Sequence, residues 1–421
     1  MNFQDALATD QIDLSLLEFW ARPLAEREAA FHRLRTERPL PFFAEPVIDS
    51  DLIPTGPGYF AVTKYDDIIE ISKNAELFCS GKGATSITDM PDFMNDFFGS
   101  MINMDDPRHA RLRKIVSAAF TPRMLKAIED QVAVAARQIV DEIITRGGGD
   151  FVTDVAARLP LKVICDMMGI PESEYETVFS RSNIILGGAD EEYVAQGDAN
   201  TVITALLTAG GDLHKLVSDL GAARREHPTD DLTSALVNTE VDGERLSDQE
   251  LGSFFILLVV AGNETTRNAI AHGLNYFTQN PEQKAYVMAD LDARMPGAVE
   301  EIVRMASPVV WMRRTATRAG SLRGVAYEEG AKFILYYWSA NRDEDVFTNP
   351  YEFDVTRTPN AHLGFGGPGP HFCLGAHLAR REISVMWKEL FTRVPNIVAT
   401  GEPDRLLSSF INGIKHLPFT V

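Results

Sequence analysis

The sequence predicts a mainly α-helical fold with a small β region, built as one domain over residues 1–421. Helical periodicity dominates the chain, and no repeat, low-complexity run or break in composition marks a linker. Alternating, β-prone segments are confined to about 40–75, 309–335 and 395–421. With 45% hydrophobic and 24% charged residues, a chain of this length can bury the sizeable core that one large helical domain needs.

Composition excludes several classes of function. Lys and Arg total 40 against 60 Asp and Glu, and the resulting net charge of −20 argues against a general nucleic-acid or anionic-membrane partner. Three cysteines are too few for a disulfide framework and suit a reducing compartment. The longest apolar run, Phe254–Ala261, is far shorter than the ~20 residues that span a bilayer. We therefore expect a cytoplasmic protein without a signal peptide or membrane anchor.

The longest predicted helix has a clear start and an unusual centre. Ser247–Glu250 is a capping-box pattern, and helical periodicity follows to about Gln279. Its first half is apolar on all sides, which is typical of a central helix. Glu264 and Thr265 then place polar groups where burial is costly, and Gly262 is expected to leave room beside the helix. This favours a groove for a small molecule with a proton path, and a hydrogen-bonded polar kink is the alternative.

A glycine-rich loop over 362–375 carries Cys373 just before a predicted helix that begins at Ala376. The N–H groups at a helix start favour an anion, so we expect a lowered thiol pKa. A thiolate presented by a loop with little side-chain bulk can ligate a metal held in a flat macrocycle. The alternatives are a small buried cysteine, a phosphate loop (which lacks the usual Lys-Ser/Thr) and a zinc site with His371 and His377.

Two charged pairs occur at helical spacing. His109 and Arg113 are four residues apart on a predicted helix, so they share a face. Two such donors suit a pair of carboxylates on a cofactor, although a solvated basic stripe has the same pattern. Glu301 and Arg304 are three residues apart, as in many surface ion pairs that contribute little to stability.

Together these signals resemble the cytochrome P-450 family. The pattern from Phe365 to Gly375, the Ala261–Thr265 segment, the Glu301–Arg304 pair and the His109/Arg113 helix occur in family order over nearly the whole chain. In many members the loop's Phe stands one position later, where this chain has Gly366. That variant is similar to the soluble bacterial branch that hydroxylates the terminal methyl of methyl-branched lipids and steroid side chains. The same branch is resembled by the segments Phe98–Met101, Ile164–Ile170, Ala261–Asn268 and Asn412–Lys415.

The resemblance implies a fold that holds haem b between the long central helix and the cysteine loop. Cys373 would be the axial thiolate, and His109, Arg113, Arg314 and His371 would hold the haem propionates. Thr265 would hydrogen-bond dioxygen, and Glu264 would relay protons. Glu301 and Arg304 would form a buried pair on the proximal side, joined by Asn341-Arg342 or the segment after it. The complete haem-binding set would be His109, Arg113, Ala261, Arg314, Phe365, Gly366, His371, Cys373 and Gly375.

The implied activity is that of a monooxygenase that inserts one oxygen of O2 into a C–H bond of a lipophilic substrate, at a terminal methyl. No flavin or nicotinamide motif is present, so electrons would come from a ferredoxin and its reductase. We expect the ferredoxin to meet a basic proximal patch despite the net negative charge. The patch would consist of Arg111, Lys114, Arg123, Arg380 and Arg381.

The substrate pocket is expected to be apolar, which suits an elongated lipid. A terpene or macrolide hydroxylase is the alternative within the family. A non-oxygenating haem protein is a further alternative, but such relatives often replace the acid–alcohol pair that is intact here. The candidate lining residues are Ile87, Phe93, Phe97, Phe98, Met101, Leu186, Leu258, Ala261, Val309, Val310, Trp311, Phe410 and Ile411.

Overall fold

The computed structural model describes residues 7–50, 52–120, 122–194 and 199–421. In these parts of the chain, far more residues lie in helices than in strands, and the predicted mainly α fold class is confirmed. The helices α1 to α15 span Leu17–Trp20, Leu24–Glu37, Tyr65–Lys73, Asp92–Gly99, Arg108–Ala119, Pro122–Arg146, Arg158–Met168, Tyr175–Leu186, Ala199–Glu226, Leu232–Asn238, Asp248–Gln279, Pro281–Ala289, Leu291–Ala306, Tyr337–Ala340 and Ala376–Arg393.

The strands are short and form small sheets. β1 to β12 span Phe42–Phe43, Tyr59–Val62, Phe78–Cys79, Gly148–Asp150, Met312–Ala316, Gly320–Leu322, Val325–Tyr327, Lys332–Leu335, Val398–Ala399, Asp404–Arg405, Ile414–His416 and Pro418–Thr420. The main sheet has the order β1-β2-β8-β5-β3, in which only the β2–β8 pair is parallel. β10 and β11 form a hairpin, β12 lies between β4 and β9, and β6 pairs with β7. β3 and β4 lie outside the expected β regions because two or three residues are too few to show alternation.

Helix α11 is the centre of the structure. It packs against α4, α7, α8, α9, α13 and α15. The predicted capping box is present: Glu250 N–H donates to Ser247 Oγ at 3.2 Å, and Ser247 N–H donates to Glu250 Oε2 at 3.0 Å. Apolar side chains along α11, among them Phe255 and Ile270, are fully buried in the largest core cluster. The helix therefore holds its polar residues in the middle of the protein.

Two glycines lie at close contacts between helices. Helix α9 continues through Gly210, where a Cβ would lie 2.6 Å from the Phe97 ring. The absent side chain thus lets α4 pack on α9. The room expected beside Gly262 is filled by Ile164 of α7, whose Cδ1 would lie 2.8 Å from an added Cβ.

None of the helices in the described ranges is both long and apolar enough to cross a membrane.

Candidate active site

The cysteine loop is folded by backbone hydrogen bonds and close packing. Cys373 N–H donates to Phe365 O at 3.0 Å, which closes the loop around the thiol. Gly366 has φ +87°, a left-handed conformation that glycine adopts at little cost. Gly369 has φ +147°, and a Cβ at this position would lie 2.3 Å from Ser72 O at the end of α3. The loop therefore lies directly against the α3 backbone, and this contact positions Cys373 ahead of α15.

The predicted lowering of the Cys373 pKa is wrong for the protein without a bound metal. The thiol is accessible to solvent, yet the protein packed closely around it raises its pKa above the ordinary value. The N–H groups of Gly375 and Ala376 and the charges of Arg113 and Arg380 act in the opposite direction but do not outweigh this desolvation. A coordinating metal would ionise this thiol outright.

A polar network that sequence reasoning missed supports the start of this loop. Glu300 accepts from Arg380 Nε at 2.6 Å and pairs with His362 Nε2 at 3.0 Å. Burial alone would raise the pKa of Glu300, but these two partners lower it to about 2. The Arg380 guanidinium also lies 4.2 Å from the centroid of the Phe365 ring. The network thus holds Phe365 between α13 and α15.

Nitrogen donors gather near the loop. His109 is buried, with its ring centroid 4.3 Å from that of His371, and its Nε2 has no hydrogen-bond partner among the described residues. Arg113 donates to Pro370 O and Phe372 O, both at 2.9 Å, and Arg314 donates to Arg313 O at 2.7 Å. Burial, followed by the charge of Arg314, lowers the pKa of His371 to about 3. Asp106 is an exposed carboxylate that contacts this set, with its Oδ1 3.2 Å from His109 Nδ1. Because the nitrogen donors outnumber it, the set fits the two propionates of a haem.

The space around Cys373 and α11 also fits a flat group. A Cβ at Gly375 would meet no atom within 4 Å. Ala261 is exposed even though it belongs to the most buried helix. Leu258 and Thr265, which share its face at intervals of three and four residues, are partly exposed. The residues present therefore fit a haem placed between α11 and the cysteine loop.

The acid and the alcohol on α11 point in different directions. Thr265 Oγ1 donates to Ala261 O at 2.7 Å on the partly exposed face. Glu264 is 1% exposed and pairs with Arg267, while Asn268 Nδ2 donates to it at 2.9 Å. Arg267 Nη1 in turn donates to Asn183 Oδ1 of α8 at 2.8 Å. Glu264 is thus held in a buried network that connects α11 to α8.

Glu301 and Arg304 form an ion pair in which both side chains are fully buried. Arg304 donates to Glu301 at 2.8 and 2.7 Å, and to the carbonyl oxygens of Asn341, Pro350 and Glu352. On the other side, Glu301 accepts from Arg357 and Asn360, two partners that the sequence alone did not reveal. The pair therefore joins α13 to the irregular segment that leads to the cysteine loop.

The candidate lining residues fall into two groups. Val309 and Ile411 form an isolated β-bridge, and the rings of Trp311 and Phe410 meet edge to face at 4.8 Å. Ile87 and Val310 are buried in the hydrophobic cluster that also contains Trp311.

The second group is helical. The Phe97 and Phe98 rings lie 4.9 Å apart and pack against the core cluster that contains Met101, as does Leu258 of α11. Leu186, the last residue of α8, is partly buried. Phe93 is 56% exposed, because α4 directs Met94 and Phe98 inward instead, so it is not part of the enclosed apolar surface.

The expected basic patch is largely neutralised. Arg111 pairs with Glu244 and Glu250, and Lys114 pairs with Asp242 at 2.6 Å. Arg380 is bound to Glu300, as described above. Arg381 is exposed. The remaining member, Arg123, lies outside the residues whose side chains the structure describes.

Comparisons with known proteins agree with this geometry. A family model described as cytochrome P450 matches residues 213–394. The methyl-branched lipid omega-hydroxylase of Mycobacterium tuberculosis (strain ATCC 25618 / H37Rv) is 49% identical over 412 residues, which cover 97% of this chain and 94% of that protein. The steroid C26-monooxygenase of Mycolicibacterium smegmatis is 39% identical over 363 residues, which cover 85% of this chain and 82% of that protein.

A solved structure extends the likeness to three dimensions. The Mycobacterium marinum cytochrome P450 CYP268A2 in complex with pseudoionone matches with a TM-score of 0.91 at 42% identity, covering 99% of this chain and all of that one. The Bacillus megaterium CYP109E1 in complex with corticosterone matches with a TM-score of 0.79 at 27% identity, covering 96% of this chain and 99% of that one.

Proposed function

Since this chain belongs to the cytochrome P450 family, and is therefore a haem-thiolate monooxygenase, we propose that it hydroxylates the terminal methyl group of a lipophilic chain. The substrate class would be a methyl-branched lipid, an isoprenoid or a steroid side chain. The observation that carries this proposal is the 49% identity to the methyl-branched lipid omega-hydroxylase over 97% of this chain. The likeness to the steroid C26-monooxygenase supports the same terminal position.

In this proposal, Cys373 ligates the haem iron, while His109, Arg113, Arg314 and His371 bind the propionates. When bound, a haem supplies reductive activation of dioxygen and insertion of one oxygen atom into an unactivated C–H bond. Arg113 already fastens the cysteine loop through Pro370 O and Phe372 O. It would therefore couple the position of the ligand loop to that of the cofactor.

Selectivity for a chain end is a matter of geometry. A primary C–H bond is stronger than its secondary neighbours, so the protein must present only the terminal carbon to the reactive centre. The Val309–Ile411 bridge and the Trp311–Phe410 contact make one wall stiff. The aromatic rings of α4 pack closely on α9 at Gly210 on another side. Apolar walls of this kind bind an extended chain and exclude water.

Proton delivery would involve the acid and the alcohol of α11. The Thr265 hydroxyl donates its hydrogen bond to Ala261 O. Thr265 Oγ1 can therefore still accept a hydrogen bond on the partly exposed face of α11. Glu264 is held by Arg267 and Asn268. We propose that opening of the Arg267 pair lets Glu264 carry a proton toward Thr265. A Glu264→Gln variant should then turn over more slowly with a larger solvent isotope effect, and an unchanged isotope effect would contradict this role.

We further propose that a ferredoxin, reduced by its reductase, supplies the electrons. Because Arg111 and Lys114 are neutralised by nearby carboxylates, the attraction would depend on Arg381 and the partly exposed Arg380. An Arg381→Glu variant should be reduced more slowly at low salt, and reduction at the wild-type rate would contradict this docking face. A cytoplasmic location is proposed because Cys79, Cys165 and Cys373 are all free thiols.

Terminal hydroxylation is tested by product analysis. The purified enzyme would be titrated with a methyl-branched fatty acid and a 3-ketosteroid, using the spectral change that accompanies substrate binding, and the products would then be identified. The expected product is a primary alcohol at the branched end. Exclusive oxidation within the chain or on a steroid ring would overturn the proposal.

An isoprenoid hydroxylase is the second candidate. It is favoured by the likeness to CYP268A2, which was solved with pseudoionone, an isoprenoid ketone. The same product analysis with an acyclic isoprenoid separates the two, since the better substrate has the higher kcat/KM.

A further inference from the structure

The segment 84–90, between β3 and α4, forms neither a helix nor a strand, yet it carries a residue of the expected substrate pocket. That residue, Ile87, is 6% exposed and belongs to the hydrophobic cluster that contains Val310 and Trp311. The buried backbone groups of such a segment have no partners in a strand ladder, so other donors and acceptors must satisfy them. The contacts that do so decide where the Ile87 side chain lies.

Arg313 of β5 binds the centre of this segment. The residue is 1% exposed, and its Nη1 lies 3.3–3.4 Å from the carbonyl oxygens of residues 86–88. Its Nη2 donates to Asp89 Oδ1 at 2.6 Å, and its backbone N–H donates to Ala84 O at 2.8 Å. One buried arginine thus contacts the segment along most of its length.

The two ends of the segment are held from α4 and from the short turn after it. Asn103 Oδ1 accepts from Ala84 N–H at 2.8 Å, and Asn95 Nδ2 donates to Met90 O at 3.2 Å. These bonds fix the ends, whereas the centre is fixed by the guanidinium.

A second buried cation secures the Asp89 end. Lys332 of β8 is 2% exposed and pairs with Asp89 at 2.9 Å and with Glu45 at 2.6 Å. Thr315 lies opposite Lys332 in the β5–β8 register and accepts from Arg313 Nε at 3.2 Å, so both cations project from one face of the main sheet. Burial would raise the pKa of Asp89, but Lys332 and Arg313 hold it below its ordinary value. Asp89 therefore stays ionised and bound at neutral pH.

Strand β5 carries this contact beside other features of the site. Trp311, which packs on Phe410, directly precedes the strand, and Arg314, which is assigned to the haem, follows Arg313. Because successive side chains of a strand point to opposite faces, Arg313 faces the segment while Arg314 faces away from it. One strand thus sets the position of Ile87 relative to the proposed cofactor site.

We propose that Arg313 is a positioning residue for the selectivity of hydroxylation. It acts through Ile87, whose side chain it holds in the pocket wall, and so determines which carbon of the chain is presented. This inference rests on the proposed function, which assigns Ile87 to a pocket for a lipophilic chain. Without the guanidinium the centre of the segment loses its link to β5, and a displacement of about 1 Å can change the rate at a given carbon about 10²-fold.

The first test is the product distribution of the purified holoenzyme. The probe is whichever of a methyl-branched fatty acid, a 3-ketosteroid and an acyclic isoprenoid has the highest kcat/KM with the wild type. Arg313→Met removes every side-chain donor, so the ratio of hydroxylation at the wild type's preferred carbon to that at its neighbours should fall about tenfold. An unchanged ratio would overturn the proposal. The ratio refers to the carbon that the wild type itself prefers, so it tests Arg313 even where that carbon is not terminal, whereas the wild-type product alone tests terminal hydroxylation.

Two further variants keep this test decisive. Arg35→Met removes another buried arginine, on α2, which donates to Glu344 and Tyr351, and it should retain the wild-type ratio. A ratio that falls equally in Arg35→Met would show general loosening and contradict a specific role. Where Arg313→Met yields no holoenzyme, Asp89→Asn weakens the same contact at a side chain that is 54% exposed, and it should lower the ratio about threefold. An unchanged ratio in that variant would refute the proposal.

A double variant tests the route through Ile87. Ile87→Ala should lower the ratio by itself. Adding Arg313→Met to it should change the ratio less than the two single effects combined, because residues in one contact do not act independently. Fully additive effects would show that Arg313 acts on selectivity by another route, and would overturn the proposal.

Discussion

Replacement of Arg304 should be among the most damaging single changes in this protein. Arg304 and Glu301 are both fully buried, and the guanidinium makes five hydrogen bonds. Two go to Glu301, and three go to the carbonyl oxygens of Asn341, Pro350 and Glu352. Arg304→Met keeps much of the apolar volume but removes every one of these donors.

The magnitude follows from the groups that are left behind. Three carbonyl oxygens that lose their donor cost about 1–3 kcal/mol each, and breaking a buried pair costs about 3–5 kcal/mol. Glu301 is partly rescued by Arg357 at 3.2 Å and by Asn360 at 3.0 Å. The expected loss for Arg304→Met is therefore about 4 kcal/mol or more. Arg304→Lys keeps the charge and up to three donors, so it should lose about 2 kcal/mol.

Urea unfolding followed by circular dichroism and by haem absorbance would measure both variants. Arg318→Met, a change of an exposed arginine, is the control and should lose less than about 0.5 kcal/mol. Because the pair joins α13 to the segment before the cysteine loop, Arg304→Met should also retain less haem after purification. If Arg304→Met unfolds at the same urea concentration as Arg318→Met, the structural role assigned to the pair is wrong.

Three further outcomes are expected. Gly369→Ala places a Cβ 2.3 Å from Ser72 O at φ +147°, and it should lower the stability of the folded protein by about 1–3 kcal/mol. The variant should then release haem at a lower temperature than the wild type, and release at the wild-type temperature would refute the close packing of the loop. Burial raises the pKa of Glu382 from 4.5 to about 8, so stability should fall by up to about 1.4 kcal/mol per pH unit as the pH rises between these values. Glu382→Gln removes that loss, and its advantage in melting temperature over wild type should be larger at about pH 8 than at about pH 5; an advantage that does not change with pH would contradict this. Lys415 pairs with Asp190 at 3.3 Å and with Glu192 at 3.1 Å, so Lys415→Met should lower the free energy of unfolding in urea by about 1 kcal/mol, whereas an unchanged free energy of unfolding would show that these pairs do not stabilise the fold.

Sequence patterns predicted the features that depend on interactions between residues close together in the chain. The capping box at Ser247 placed the start of α11, because the two reciprocal hydrogen bonds need only residues three apart. The spacing of Glu301 and Arg304 likewise predicted a pair on one helix face. Whether that pair is buried depends on distant segments, and the sequence signal for it came from family resemblance rather than from spacing.

Contacts between distant segments could not be predicted in this way. The neutralisation of Arg111 depends on Glu244 and Glu250, more than 130 residues away, so composition alone suggested a free basic patch. A glycine pair normally weakens a helix, but the packing of Phe97 against Gly210 keeps α9 continuous. The direction of the Cys373 pKa was wrong because the helix N-terminus is a local feature, whereas the desolvation comes from the whole protein around the loop.

We propose Cys373 as the thiolate ligand of a haem in this monooxygenase. This ligation can be measured in the ferrous–carbon monoxide absorption spectrum of the purified protein, with Cys373→Ser as the matched variant. A Soret band shifted strongly to the red in the wild type, and absent in Cys373→Ser, is predicted. A wild-type protein that binds no haem, or a red-shifted band that persists in Cys373→Ser, would contradict ligation by Cys373.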